Sequence, residues 1–155
     1  MKKCCIILSL LMAVMLIIAC SSQRKATPTA ANEPLIPQKE QVWQLVRLQG
    51  RPLPLHSTVT TLTINPEAGT ANGHTHCNTY SFSCKISHAD SRPDGDWYDL
   101  SLKLLGSGNV HCSEAEMNAE SRYLATLGKA TRMCLTATTL TIYQKDKETL
   151  YFELQ

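Results

Sequence analysis

The chain has 155 residues, of which 15 are lysine or arginine and 13 are aspartate or glutamate. Lys2 and Lys3 belong to an apolar N-terminal segment, and removing these two bases leaves 13 to balance the 13 acids. This balance gives no electrostatic basis for binding nucleic acid, and the length is that of a single domain.

Residues 1–19 have the pattern of a secretory signal. After the two lysines, the run from Cys4 to Ile18 is apolar apart from one serine, and polar residues begin directly after Cys20. The run is shorter than the ~20 apolar residues that a membrane-spanning helix requires. The sequence Ile-Ile-Ala-Cys that ends at Cys20 resembles the lipobox of bacterial lipoproteins. That resemblance implies that Cys20 is the lipidated N-terminus of the mature protein.

Residues 20–40 are predicted to be the lipidated cysteine and a flexible tether, because this stretch is polar, contains three prolines and lacks periodicity. Several acyl chains on Cys20 would anchor the protein firmly, since each buried methylene contributes ~0.8 kcal/mol. Ser21 occupies the position where an inner-membrane retention signal would place aspartate. The predicted location is therefore the bacterial cell envelope, with the protein on the outer membrane and facing the periplasm.

Residues 41–155 are predicted to form one α+β domain, with a small curved antiparallel sheet of about seven strands and one helix. The first strands are the stretch before Gly50 and the alternating run TVTTLTIN, in which Leu62 and Ile64 share a face. The next two strands, CNTYSFSCKI and WYDLSLKLLG, are separated by a polar stretch, residues 88–96, that is predicted to be a turn or loop. Their predicted inward faces are Tyr80, Phe82, Cys84 and Ile86 in the first and Tyr98, Leu100, Leu102 and Leu104 in the second.

The helix is predicted to begin at Ser113, because Ser113 and Glu116 have the spacing of a capping box. An apolar stripe follows at helical spacing, and Gly128 stands where a left-handed C-cap is expected. The residues of the stripe are Met117, Ser121, Leu124 and Leu127. Three short strands complete the chain, ATRMCL, TLTIYQ and TLYFEL, and the last two form a hairpin around residues 145–148.

Histidines and cysteines occur together at two places. His74, His76 and Cys77 fall within four residues, and His111 precedes Cys112. Such residues form either a disulfide or a zinc or copper site. Disulfides are the default in an oxidising compartment. The four cysteines of the domain, Cys77, Cys84, Cys112 and Cys134, allow three complete pairings, which the sequence alone does not distinguish.

The order of short motifs over residues 42–154 resembles the META domain, the family that includes the HslJ-type heat-shock-inducible bacterial lipoproteins. Its most specific part is Asn72-Gly73 followed by Cys77-Asn78-Thr79-Tyr80, then Cys112 and the helical sequence MNAESRYLATL. The resemblance implies a small β-rich domain with one helix, an envelope location and a role in stress or drug tolerance, without an established catalytic activity. The chain departs from the family at residues 74–76 and 110–113, where relatives commonly carry glycine and Met-Ala-Cys-Pro.

The resemblance also implies that Cys77 and Cys112 lie close together. As a disulfide, they would close a loop of about 35 residues and stabilise the fold by ~3–4 kcal/mol. As thiolates, they could bind zinc or copper with His76 and His111, although neighbouring residues of a strand point to opposite faces. A weaker site would use His74 and His76 alone, on one face of a strand. Cys84 is predicted to lie on the apolar face and Cys134 on the other.

The sequence thus predicts a lipid-anchored, non-enzymatic envelope protein without a cofactor, which binds an unidentified envelope protein or small ligand. The alternative is an envelope metal-binding protein that holds zinc or copper with His74, His76 and His111. No nucleophile elbow, phosphate loop or zinc-protease motif occurs in the sequence. The aspartates of residues 90–99 lack the spacing of a calcium loop, and a solvated turn explains them better.

The lipid anchor is tested by replacing its acceptor. Cys20→Ala should release the exported protein from membranes, because the tether and the domain offer no other apolar anchor. Membrane and soluble fractions of cells that express each form would be compared by immunoblot. If the variant stays in the membrane through its signal segment, the lipobox interpretation is wrong.

Overall fold

The structure, a computed structural model, describes residues 34–53 and 59–155. The predicted signal peptide, Cys20 and the tether up to residue 33 lie outside the described residues. Pro34–Gln155 forms one compact unit, so the last residues of the predicted tether belong to it. Within the described ranges, no helix is long and apolar enough to cross a membrane.

Nine strands and one helix are found in this part of the chain. In chain order they are β1 (Trp43–Leu48), β2 (Arg51–Pro52), β3 (Thr61–Asn65), β4 (Thr70–His74), β5 (Thr79–Arg92), β6 (Gly95–Ser107), α1 (Glu114–Leu127), β7 (Arg132–Leu135), β8 (Thr139–Gln144) and β9 (Lys147–Leu154).

All strand pairs are antiparallel, in the order β2-β1-β3-β4-β5-β6-β7-β8-β9. A further pairing of β1 with β9 closes eight of these strands into a barrel, and the short β2 adds to β1. The prediction of an antiparallel β-rich fold with one helix is confirmed. The prediction of an open sheet of about seven strands is wrong, since β2 and β4 are additional strands and the sheet is closed.

The barrel interior is filled by alternate residues of the strands, including Leu62 and Ile64 as predicted. Fully buried side chains line it, namely Trp43, Leu62, Ile64, Phe82, Leu127, Met133, Leu140, Ile142, Leu150 and Phe152. Tyr98, Leu100 and Leu102 are buried as predicted, but Leu104 is 45% exposed. Phe82 pairs with Leu104 and Ser81 with Gly106, so Leu105 is an unpaired bulge residue. Leu104 lies on the same face as its partner Phe82, and it is exposed because it borders an open groove beside α1.

The stretch 88–96 is mostly strand, so the predicted loop is wrong. Strand β5 continues to Arg92 and β6 begins at Gly95, which leaves only two residues for the turn. Polar side chains of this hairpin bond to one another: Arg92 Nε donates to Asp90 Oδ2 at 2.8 Å, and Ser91 Oγ donates to Asp96 Oδ1. The polar composition reflects these exposed pairs, and a hairpin of this kind has no apolar alternation to reveal it.

Helix α1 starts and ends where predicted, with Gly128 as its C-cap, but the conformation of this cap differs from the prediction. Ser113 Oγ accepts the N–H of Glu116, whose carboxylate accepts the N–H of Ser113 at 2.9 Å, so the capping box is confirmed. Gly128 has a right-handed conformation, with φ of −66°, and the predicted left-handed cap is wrong. The buried face is Tyr123, Leu124, Thr126 and Leu127, while Ser121 is exposed.

The two ends of the barrel are covered differently. Helix α1 covers the end at which β4 meets β5. At the opposite end, residues 34–41 cross the barrel, and Pro37 is fully buried there. The N–H of Leu35 donates to Asp96 Oδ2 at 2.7 Å, and the hydroxyl of Tyr98 donates to the Leu35 carbonyl. These bonds fix the N-terminal segment to strand β6.

The role of the helix as a cover gives a stability prediction. Leu127→Ala should lower the free energy of unfolding by about 2–5 kcal/mol, because Leu127, the last residue of α1, is fully buried against the barrel. Leu105→Ala is the matched control, since Leu105 is 62% exposed, and its effect should stay within about 0.5 kcal/mol. Urea unfolding measures both. Equal losses would contradict the packing of α1 onto the barrel.

Candidate functional site

A disulfide ties the turn between β4 and β5 to the start of α1. Cys77 and Cys112 are bonded, with their Cα atoms 6.1 Å apart. This is the pair that the family resemblance implied. Cys84 and Cys134 are buried free thiols, and burial raises the pKa of Cys84 to about 11, so its thiol stays protonated. Cys134 lies outside the core cluster, beside Trp97 on the neighbouring strand, as its predicted orientation requires.

Glu120 of α1 receives hydrogen bonds from the same turn. Thr75 Oγ1 donates to Glu120 Oε2 at 2.5 Å, and Asn78 Nδ2 lies 3.2 Å from both carboxylate oxygens. The N–H groups of Cys77 and Asn78 donate to Thr75 Oγ1 at 3.3 and 3.1 Å. A hydroxyl has one proton and two lone pairs, so these three bonds use the full capacity of Thr75. Asn78 Oδ1 in turn accepts the N–H of Val110 at 2.8 Å.

The contact region between the turn after β4 and helix α1, called the junction below, continues into the barrel through two buried tyrosines. Tyr80 Oη donates to the Thr61 carbonyl at 2.5 Å and lies 2.6 Å from Tyr123 Oη. The carbonyl only accepts, so Tyr80 directs its proton to Thr61, and Tyr123 donates to Tyr80. Burial raises the pKa of both phenols, which keeps them neutral.

Of the two remaining motif residues, Gly73 contributes to the same junction and Asn72 does not. A Cβ at Gly73 would lie 2.0 Å from the Thr61 carbonyl oxygen and 2.6 Å from Tyr80 Oη, so only glycine fits. Asn72 bonds on the outer face, where its Oδ1 accepts from Ser81 Oγ at 2.7 Å. Apart from Asn72, the residues of the family motif therefore hold the turn, the helix and the barrel together.

The three candidate metal ligands lie in different surroundings. His74 ends β4, whereas His76 lies in the following turn, so the expectation that they share a strand face is wrong. His76 Nε2 pairs with Glu116 Oε1 at the start of α1. His111 is exposed in the loop before the helix. Among the residues that the structure describes, no group of three or more histidine, cysteine or acidic side chains is placed to hold a metal.

The disulfide excludes the metal site that would use both cysteines as ligands. Because the sulfurs of Cys77 and Cys112 are bonded to each other, they are not available as the thiolate ligands of the predicted zinc or copper site. A site built from His74, His76 and His111 alone stays a prediction.

An apolar pocket of about 300 Å³ lies between α1, strand β1 and the turn after β4, with Leu53 and Thr60 completing its wall. Its described lining is Leu45, Leu48, Leu53, Thr60, Thr75, His76, Ala115, Glu116, Ala119, Glu120 and Tyr123. The volume is at the lower limit of small-molecule sites, about 300–1,000 Å³. Ala115 and Ala119 are four residues apart, so they share a helix face, and their small side chains leave space above the barrel strands.

The charge of the pocket is negative. Its described lining holds two carboxylates and one imidazole, without lysine or arginine. Hydrogen bonds from the hydroxyl and N–H of Ser113, and more weakly the nearby His76, lower the pKa of Glu116, so this carboxylate is ionised at neutral pH. Glu120 is held as an acceptor by the turn. Sequence patterns did not identify this pocket, because its walls come from separate elements.

Comparisons with known proteins agree with the fold. A family model described as the META domain matches residues 36–155. An NMR structure of a protein from Burkholderia xenovorans is similar with a TM-score of 0.55 and 20% identity, over 87% of this chain and 99% of that one. A second NMR structure is similar with a TM-score of 0.50 and 22% identity, over 75% of this chain and 90% of that one. No curated protein gives a significant match.

The close approach at Gly73 gives a prediction with a matched control. Gly73→Ala should lower the free energy of unfolding by about 1–3 kcal/mol or more, because the new methyl group meets the Thr61 carbonyl. Gly106→Ala, also in a strand, places its Cβ in open space and should be neutral or slightly stabilising. Thermal and urea unfolding of both variants measure the difference. A neutral Gly73→Ala would contradict the described junction.

Proposed function

The chain belongs to the META domain family, and on that premise we propose that it is a non-enzymatic binding module of the bacterial envelope. The lipid on Cys20 holds it to the membrane, and the pocket beside α1 takes a small molecule. The observation that carries this proposal is the pocket itself, apolar along its walls and negative at one side.

The occupant that best fits is a small molecule with an apolar body and a basic amine. The apolar body would lie against Leu45, Leu48 and Leu53, where it displaces water from aliphatic surface. The amine would lie near Glu116 and Glu120, because no lysine or arginine in the described lining offsets their charge. A carboxylate on the same apolar body would be repelled.

The bonding of the polar groups supports binding over catalysis. The Thr75 hydroxyl already donates to Glu120, and the buried hydroxyl of Tyr123 donates to Tyr80. His76 is paired with Glu116. These groups are fixed by partners within the protein, and a nucleophile or general base would need a free position towards the ligand.

The envelope location is supported by the disulfide together with the signal pattern. Disulfides persist in oxidising compartments and are rare in the reducing cytosol. A protein that retains apolar amines in the envelope would lower their free concentration there. This activity fits the stress or drug tolerance that the family resemblance implied.

The proposal is tested with three probes that share one apolar body: octylammonium, octanol and octanoate. The exported chain with Cys20→Ala would be titrated with each and followed by two-dimensional NMR of the backbone amides. Octylammonium should shift amides around Ala115 and Ala119, and should bind at least about tenfold more tightly than octanoate, a difference of ~1.4 kcal/mol.

A pair of variants locates the binding site. Ala119→Leu should abolish octylammonium binding, because the larger side chain fills the pocket. Asn118→Leu adds similar bulk at an exposed neighbouring position outside the pocket lining and should leave binding unchanged. Equal binding of octanoate, or octylammonium binding that survives Ala119→Leu, would reject the proposal.

A further inference from the structure

The C-terminal half of β6, from Ser101 onward, has one edge without a neighbouring strand. Strand β7 pairs with β6 only from Asp96 to Asp99, and one more bond joins the Leu100 N–H to the Thr131 carbonyl at 2.9 Å. In the described structure, the rest of β6 pairs only with β5. The edge from Ser101 to Leu104 therefore ends the local sheet, although the barrel is closed elsewhere.

The register shows which backbone groups this edge presents. The N–H of Cys84 donates to the Gly69 carbonyl at 2.7 Å, on the side away from β6. Cys84 lies opposite Leu102, so these two residues form a non-hydrogen-bonded pair of the β5–β6 ladder. The N–H and C=O of Leu102 therefore point away from β5, and those of Leu104, two residues later, do the same. The N–H of Leu100, two residues before Leu102, also points away from β5.

A groove of about 650 Å³ lies between this edge and α1, and we call it the edge groove. Its apolar lining includes Phe82, Leu102, Leu104 and Leu124, and its basic residues are Lys103 and Lys129. Leu104 is 45% exposed in it. The groove thus combines unpaired backbone groups, apolar surface and positive charge.

We propose that the edge groove binds an extended peptide segment, with alternating apolar and acidic residues, as an added strand beside β6. An extended backbone supplies the N–H and C=O partners that Leu102 and Leu104 lack, and alternate side chains enter the groove. Lys103 and Lys129 favour acidic residues at the solvent-facing positions of the bound peptide. The groove has one carboxylate, Glu120, whose oxygens accept from Thr75 and Asn78, and the two lysines outnumber it.

The geometry favours a slender segment over a second copy of this chain. If β6 of one copy paired with β6 of a second copy, helix α1 of each copy would stand at the same edge and obstruct the other copy. A single strand fits between β6 and α1 without that conflict. The bulge at Leu105 limits pairing to Ser101–Leu104, so few backbone bonds form and the binding is weak and reversible.

The test uses the exported full chain and an acetylated, amidated peptide, Val-Glu-Val-Glu-Val. Amide hydrogen exchange followed by mass spectrometry should show slower exchange in peptic fragments that contain Leu102 and Leu104 when the peptide is added. Fluorescence anisotropy of a labelled peptide measures the affinity. The matched peptide Val-Lys-Val-Lys-Val should bind at least about tenfold more weakly, because Lys103 and Lys129 repel it.

Backbone variants separate strand addition from simple apolar contact. Leu104→Pro removes the N–H that faces the groove and should abolish binding, while Leu104→Ala keeps that N–H and should retain it in part. Proline is tolerated on a strand edge where its N–H has no ladder partner. If Leu104→Pro does not fold, N-methylation of the central valine in the peptide makes the same test on the native protein and should also abolish binding.

Three results would overturn the proposal. The first is peptide binding that survives both Leu104→Pro and N-methylation, and the second is protection confined to another part of the barrel. The third is a concentration-dependent dimer that protects the amides of Leu102 and Leu104 without peptide, since a second copy would then occupy the edge.

Discussion

A closed barrel with an apolar interior must be covered at both ends, and this constraint organises the molecule. The strand side chains that fill the interior, such as Phe82 and Ile142, would otherwise meet water at the openings. Helix α1 covers one end, with Leu127 fully buried, and residues 34–41 cover the other, with Pro37 fully buried. The disulfide between Cys77 and Cys112 and the bonds of Glu120 hold the helix in place.

A helix is narrower than the end of an eight-stranded barrel, and two openings result from this mismatch. One opening is the pocket on the β1 side of α1, beside Ala119, and the other is the edge groove on the β6 side, beside Leu124. Glu120 lines both. The residue that fixes the helix to the turn thus stands between the two surfaces proposed to bind ligands. The disulfide ties the start of the same helix to the turn.

The sequence predicted the features that depend on local patterns. Alternation placed Leu62 and Ile64 inside, and the spacing of Ser113 and Glu116 predicted the helix start. Strand β4 was not predicted, because Asn72 and Gly73 have low strand propensity, and Gly73 is required by the nearby Thr61 carbonyl instead. Closure of the sheet depends on the pairing of β1 with β9, which are far apart in the sequence, and such a pairing has no local signature. The pocket also escaped prediction, since its walls come from β1, the turn and α1.

The pairing of β1 with β9 also constrains when the chain acquires its fold. Gln44 pairs with Glu153, so the first strand of the barrel finds its partner among the last residues of the sequence. A chain that emerges from its N-terminus during synthesis or export has β1 long before β9, and until then β1 and β8 are both exposed edges. Contacts between such distant residues form slowly, and exposed edges invite pairing with other chains. Removal of β9 by a protease would leave β1 and β8 as exposed edges again, so the barrel cannot close without this strand.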